Sequence, residues 1–101
     1  MPGLETIRRI TVYAAEGLEK PLVASFIQLG AKGYTITECR GLGEHKAVDD
    51  PLAKSTHVRI ELLVNPQVGE KIMEYLRKQD DRHLAVSACE ESVLVNNASR
   101  F

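Results

Sequence analysis

The sequence predicts a single α+β domain with the ferredoxin-like, split-βαβ order β-α-β-loop-β-α-β. Two observations support this fold class. Segments in which apolar residues alternate with polar ones, as in strands, are separated by two segments with helical spacing of apolar residues. The chain has 101 residues, 44% hydrophobic and 27% charged, which suits one domain over residues 1–101 with a modest core.

The first strand and the first helix are predicted at 6–14 and 19–29. In the strand, β-branched and polar residues alternate with period two. In the helix, Pro21 lies in the first turn, where its missing N–H costs nothing. Gly30 and Gly33 are expected to end the helix, because glycine tolerates the left-handed conformation found at helix C-termini.

The next two strands are predicted at 34–40 and 55–64, on either side of a long loop. Residues 41–54 show no sustained period, and we expect them to form a flexible loop of the kind that is usually functional. Asn65 followed by Pro66 predicts the start of the second helix, as an N-cap residue with proline at the first helical position.

The second helix and the last strand complete the fold. The apolar stripe of the helix consists of Val68, Ile72, Tyr75 and Leu76. The last strand is predicted at 84–95, with an interruption near Glu90 and Glu91, and a polar tail follows at 96–101.

This element order predicts the spatial strand order fourth, first, third, second, with both helices on one face of the sheet. The helix-free face is then expected to carry Tyr13, Thr35, Thr37, Cys39, Arg59, Glu61 and Leu63. Such a mixture is too apolar for water and too polar for a dry core, which favours self-association. A half-solvated antiparallel sheet is the alternative.

The two cysteines are placed far apart by this topology. Cys39 and Cys89 fall on opposite edge strands, about 14 Å apart, which is too far for a disulfide. We expect both to be buried as small hydrophobic residues, and the absence of a CxxC motif points to a reducing cytoplasm.

The composition excludes several function classes. Thirteen Lys and Arg residues against 14 Asp and Glu residues leave no basic footprint for a nucleic acid. No stretch of about 20 apolar residues predicts a membrane span. The N-terminal residues lack the pattern of a secretory signal, so we expect a cytoplasmic protein.

The strongest local motif is Gly41-Leu42-Gly43, because glycines let the backbone approach an anion closely. Glu44, His45 and Lys46 follow it with acceptor, titratable and cationic groups. A solvated loop explains the same residues. No nucleophile context or metal-ligand spacing is present, so we do not expect an enzyme. Arg59 and Glu61, two apart on one strand face, are interpreted as a structural ion pair.

The segment GAKGYTITECRGLGEHK at 30–46 resembles PII signal-transduction proteins, in which a Gly-x-Thr-x-Thr-Glu strand leads into a Gly-Phe-Gly turn that opens the T-loop. VRIELLV at 58–64 resembles the third strand of that family. The resemblance implies a homotrimer that binds adenine nucleotides between subunits, with the T-loop docking onto a protein partner. It implies nucleotide-binding roles for Thr35, Gly41, Leu42, Gly43, Glu44, Leu63 and Arg82. It implies effector or anion binding for His45, Lys46, His57 and Arg59.

Departures from the family pattern indicate which nucleotide is bound. Glu44, His45 and His57 replace the family's arginine, glutamine and lysine, while the acidic segment 79–83 replaces its Gly-Asp-Gly-Lys loop. Leu94 and Asn96 stand in place of the C-terminal arginine pair. Each lost cation removes a charge-assisted bond worth about 1.5–3 kcal/mol, which favours ADP or AMP over ATP.

The pattern is more similar to divergent PII-like proteins linked to carboxysomes and bicarbonate transport. This resemblance implies a non-enzymatic regulator in inorganic-carbon metabolism, whose target is a transporter or a carboxysome component. The resemblance leaves open whether bicarbonate is a second ligand. It also leaves open whether the cytoplasmic protein associates with carboxysomes. The alternative is a ligand-independent structural or metal-tolerance trimer, similar to the copper-tolerance ferredoxin-like proteins. An acylphosphatase-like enzyme fits less well, because its phosphate-cradling loop is missing.

Overall fold

The computed structural model describes residues 4–39, 56–81 and 86–101, with the backbone alone for Asp81. The strands and helices are β1 (Glu5–Ala15), α1 (Glu19–Gln28), β2 (Thr35–Cys39), β3 (His57–Val64), α2 (Pro66–Asp81) and β4 (Val86–Val95). Short 3-10 turns follow β1 at Glu16–Leu18 and β4 at Ala98–Arg100. The predicted loop at 41–54 lies outside the described residues.

The four strands form one antiparallel sheet in the order β2-β3-β1-β4. This is the predicted order, and the fold class is confirmed. The longest ladder joins β1 to β4 and runs from the pair Glu5–Val95 to the pair Ala14–Val86. The β1–β3 ladder is shorter and starts at the pair Arg8–Val64, so the N-terminal end of β1 extends beyond β3.

The core lies between the helices and one face of the sheet. The strands contribute Ile10, Val12, Ala14, Val58, Ile60, Leu62, Val64 and Val86, all buried. The helices contribute Leu22, Phe26, Ile72 and Leu76 to the same cluster, so both helices cover one sheet face, as the sequence predicts. The rings of Phe26 and Tyr75 meet edge to face, with centroids 6.2 Å apart, and join α1 to α2.

The end of α1 and the start of α2 follow the capping rules. Gly30 has φ +120°, its N–H donates to the carbonyl of Ile27, and the N–H of Ala31 donates to Phe26, which is a Schellman arrangement. Gly33 has no positive φ, so its predicted left-handed role is wrong, since Gly30 alone reverses the chain. The Asn65 side chain caps α2 by accepting from the Val68 N–H at 2.9 Å.

The predicted interruption of the last strand at Glu90 and Glu91 is wrong, because β4 pairs continuously with β1 through both residues. Each carboxylate has a cation on the neighbouring strand. Glu90 lies 3.0 Å from the Arg8 guanidinium on the helix face, and Glu91 lies 2.6 Å from that of Arg9 on the other face. Cross-strand charge pairing therefore accommodates an acidic pair inside a strand.

Gly69 allows the first turn of α2 to approach the Arg8–Glu90 pair closely. A Cβ at this buried glycine would lie 2.9 Å from Oε2 of Glu90 and 3.3 Å from Cγ of Arg8. The ion pair therefore lies partly sheltered between the sheet and α2, and Arg8 also donates to the Ser92 hydroxyl.

The cysteines are free, as predicted, and lie on the opposite edge strands β2 and β4. Their predicted burial is wrong, because Cys39 is partly exposed and Cys89 is exposed. Both belong to the face that carries no helix: Cys89 pairs with Thr11 of β1, and Cys39 pairs with His57 of β3. A single chain leaves this face uncovered.

Candidate functional site

Four of the predicted site residues lie within the described residues, and all four lie on the helix-free face of the sheet. Thr35 belongs to β2, whereas His57, Arg59 and Leu63 belong to β3. Alternate residues of a strand share a face, and the buried positions of β3 are the even-numbered ones. The predicted residues Gly41, Leu42, Gly43, Glu44, His45, Lys46 and Arg82 lie outside the described residues.

The β2–β3 register places a hydroxyl opposite a carboxylate. Thr35 pairs with Glu61, and Thr37 pairs with Arg59 on the same face. The side chains of Thr35, Thr37 and Arg59 are exposed, and that of Glu61 is partly exposed. This face therefore presents a hydroxyl and a carboxylate at the Thr35–Glu61 pair. It presents a hydroxyl and a guanidinium at the Thr37–Arg59 pair.

Beyond Glu61, β3 continues without β2 beside it. The β2–β3 ladder begins at the pair Thr35–Glu61, whereas β3 runs on to Val64. Among the described residues, no other segment forms a backbone hydrogen bond with residues 62–64 on the side where β2 pairs with the rest of β3. We call this stretch the open edge of β3. An unpaired strand edge presents N–H and C=O groups to a planar heterocycle as it would to another strand.

The predicted effector residues lie away from the open edge. At about 3.3 Å per residue, Arg59 and His57 lie about 13 and 20 Å along β3 from Leu63. His57 pairs with Cys39 at the end of the sheet where β2 ends and β3 begins. The structure therefore brings Thr35, Glu61 and Leu63 together and separates them from His57.

The interpretation of Arg59 and Glu61 as an ion pair is wrong. Within the described ranges no salt bridge joins Arg59 to Glu61. The charge of Glu61 instead interacts with Arg9 of the neighbouring strand β1. The hydrogen bond from Arg9 to Glu91 raises the pKa of Arg9, with smaller contributions from the charges of Glu91 and Glu61. Arg59 accordingly keeps its guanidinium exposed beside Thr37.

Sequence reasoning missed Glu61 as a site candidate. Its position opposite Thr35 depends on the register between two strands that are far apart in the sequence. The available signal was its place in VRIELLV, two residues before Leu63 on the same strand face. Spacing along one strand favours Arg59 as its partner and carries no information on the residue across the ladder.

The described part of the chain contains no group of three or more His, Cys, Asp or Glu residues arranged to hold a metal ion. Neither of its helices is long and apolar enough to cross a membrane.

The element order and the sheet topology define a ferredoxin-like domain with an exposed polar sheet face. The family model described as nitrogen regulatory protein P-II matches residues 7–96. The chain belongs to this family, and the resemblance predicted from the sequence is confirmed.

Solved structures agree with this assignment. A protein from Thermus thermophilus described as PII-like and signaling shares 36% identity, with 91% of this chain and 90% of that chain covered and a TM-score of 0.75. CPII from Thiomonas intermedia K12, bound to ADP and bicarbonate, shares 16% identity over 97% of this chain and 96% of that chain, with a TM-score of 0.82. Its apo form shares 15% identity over 91% and 94%, with a TM-score of 0.75. The search of curated proteins found no match.

Proposed function

We propose that this chain is a non-enzymatic regulatory protein that binds an adenine nucleotide, ADP or AMP in preference to ATP. The observation that carries the proposal is the open edge of β3 beside the Thr35–Glu61 pair. Strand N–H and C=O groups at Leu63 suit the alternating acceptors and amino group of adenine, and the Thr35 hydroxyl adds a donor and an acceptor. Glu61 supplies acceptors for an amino group or ribose hydroxyls.

The distribution of charge supports a nucleotide with few phosphates. Leu94, which stands where the resemblance places an arginine, is 65% exposed and offers no charge to a phosphate. The chain has a formal net charge of −1, so it has no excess of Lys and Arg side chains to neutralise a triphosphate. The known structures of CPII with ADP, AMP and bicarbonate support the same ligand class, as does the CPII fold shared with this chain.

We further propose bicarbonate as a second ligand, near Arg59 and the predicted effector residues His45, Lys46 and His57. The exposed guanidinium of Arg59 and the hydroxyl of Thr37 lie opposite each other and are suitable donors for a small planar anion. Gly41, Leu42 and Gly43 are proposed to lie at the nucleotide phosphates, and Glu44 and Arg82 are proposed to contact the nucleotide. Ligand-dependent ordering of 41–54 would then control a partner in inorganic-carbon metabolism, a transporter or a carboxysome component, in the cytoplasm.

The proposed assembly is a homotrimer with ligand clefts between subunits. Support comes from the uncovered sheet face, where Tyr13 is 44% exposed although it lies on an inner strand of the four-stranded sheet. Covering such a face by self-association removes apolar surface from water. Light scattering after size exclusion measures the assembly, and a monomeric mass would contradict this part of the proposal.

The ligand proposal is tested by thermal shift and calorimetry with ATP, ADP, AMP and cyclic AMP, each with and without bicarbonate. A ligand that binds the folded state raises its stability by about 2.7 kcal/mol at a hundred times its dissociation constant. We expect ADP or AMP to bind more tightly than ATP. If no adenine nucleotide binds in either buffer, the proposal is wrong, and a ligand-independent structural or metal-tolerance protein becomes the better description.

A further inference from the structure

The Asn65 side chain joins two segments that are distant in the sequence. Its Oδ1 accepts from the Val68 N–H at 2.9 Å and caps α2. Its Nδ2 donates to the main-chain oxygen of Phe101 at 3.2 Å. One amide group therefore serves as the helix cap and as the anchor of the C-terminal turn, which we define as residues 97–101.

The C-terminal turn is a small unit closed by its own hydrogen bonds. The Arg100 N–H donates to the Asn97 carbonyl at 2.9 Å, and the Phe101 N–H donates to Ala98 at 3.0 Å. In the described part of the chain, the bond from Asn65 is the one hydrogen bond that links this turn to the rest of the fold. Asn97, Ala98 and Phe101 are partly buried, and no residue of the turn is fully buried. A unit held to the rest of the fold by one hydrogen bond and partial burial opens at low free energy.

The position of the turn places it next to the candidate site. Beyond Arg8, β1 continues to Glu5 with β4 on one side and no β3 on the other. The C-terminal turn contacts β1, and its anchor Asn65 directly follows the last residue of β3. Ile7, on this extension of β1, is only 3% exposed. The turn therefore lies next to β1 and next to the residue that follows β3.

We propose that the C-terminal turn is a detachable strap, held closed by the Asn65 amide, whose closure favours ligand binding at the open edge of β3. The coupling rests on the proposed function. Its physical basis is chain continuity, because Leu63 lies two residues before Asn65. The β1 ladder already holds residues 62–64, and a closed strap adds a restraint on Asn65, which directly follows them. A released strap removes that added restraint, and a ligand that needs the end of β3 ordered binds less tightly.

The test separates the two bonds of Asn65. Asn65→Ser and Asn65→Asp keep a good N-cap oxygen, but neither retains an amide donor for Phe101. The matched control is Asn97→Ser, which makes the same change within the turn at a side chain that forms no capping hydrogen bond. Circular dichroism checks that α2 persists in each variant. Hydrogen exchange measured by mass spectrometry on peptides covering the Arg100 and Phe101 amides reports the strap directly.

We expect exchange in the C-terminal turn to rise about 2- to 12-fold in both Asn65 variants, as the net loss of one hydrogen bond implies, and to stay unchanged in Asn97→Ser. We expect the dissociation constant of ADP, measured by calorimetry, to rise about twofold or more in Asn65→Ser. Because coupling is reciprocal, ADP must also slow exchange of the turn in the wild type.

The outcomes distinguish this inference from the proposed function. Unchanged exchange in both Asn65 variants would overturn the strap, whatever the ligand does. Faster exchange with an unchanged ADP dissociation constant would overturn the coupling and leave nucleotide binding intact. If wild-type protein does not bind ADP, the coupling and ADP as the ligand fail together, and the exchange comparison alone decides whether the strap exists.

Discussion

Gly30 and Val68 lie so close together that a Cβ on Gly30 would be 2.9 Å from Cγ2 of Val68. Gly30 ends α1 with φ +120°, and Val68 belongs to the first turn of α2. One position thus carries two constraints, a backbone conformation that side chains rarely adopt and a close contact between the two helical segments.

Gly30→Ala is expected to lower the free energy of unfolding by about 2 kcal/mol or more, because positive φ costs a non-glycine residue about 1–2 kcal/mol before the contact with Val68 is counted. Urea unfolding at fixed protein concentration measures the loss. The matched control is Gly33→Ala, where φ is not positive and a Cβ meets no atom within 4 Å. That substitution should be neutral or stabilising by about 0.4–1 kcal/mol. Equal losses in the two variants would contradict the structure.

Phe26 and Ile27 are neighbours on α1 with opposite environments. Phe26 is 0% exposed and packs edge to face on Tyr75, whereas Ile27 is 51% exposed. Phe26→Ala should cost about 3–5 kcal/mol, since it removes a buried ring and leaves a cavity. Ile27→Ala should change stability by about 0.5 kcal/mol or less in the isolated chain. If Ile27→Ala is the more harmful substitution, α1 presents the other face to the core.

The elements that sequence predicted well are those whose signals are local. The cap at Asn65 and the apolar stripe of α2 depend on residues within a few turns of one helix, and both are confirmed. The strand order followed from the connection rules, because the alternation of strands and helices leaves few topologies.

Sequence reasoning failed where cross-strand neighbours decide the outcome. The adjacent residues Glu90 and Glu91 predict a break in β4, because their charges are unfavourable inside a strand. The arginines that pair with them, Arg8 and Arg9, lie more than 80 residues away in the chain, so the local sequence does not reveal the pairing. Spacing along one strand predicts Arg59 as the partner of Glu61, whereas the register places Glu61 opposite Thr35. Period two within a strand assigns faces, but it contains no information on which residue lies across the ladder.

The Arg9–Glu91 pair predicts a charge-reversal result. Arg9→Glu should lower the urea midpoint, because the new carboxylate would face Glu91 directly and approach Glu61. Adding Glu91→Arg to this variant should restore part of the loss. Lys32→Glu, at an exposed position that forms no salt bridge among the described residues, makes the same charge change and should have little effect.

Salt concentration separates electrostatics from packing in that experiment. The difference between Arg9→Glu and wild type should shrink at about 1 M NaCl, where the Debye length is about 3 Å. A loss that persists at high salt, with no recovery in the double variant, would mean that the aliphatic part of Arg9 matters more than its charge. All midpoints must be compared at one protein concentration, because any assembly makes apparent stability depend on it.

Thr35 and Thr37 provide the sharpest comparison at the proposed nucleotide site, because both are exposed threonines on the same face of β2. Thr35 adjoins the open edge of β3, whereas Thr37 lies opposite Arg59. Thr35→Val keeps the shape and β-branching but removes the hydroxyl, so the ADP dissociation constant should rise about 2- to 12-fold, as expected for one lost hydrogen bond. Thr37→Val should leave ADP affinity unchanged and weaken the response to bicarbonate. Calorimetry with ADP, with and without bicarbonate, measures both effects, and the reverse pattern would place the adenine near Arg59 instead of Leu63.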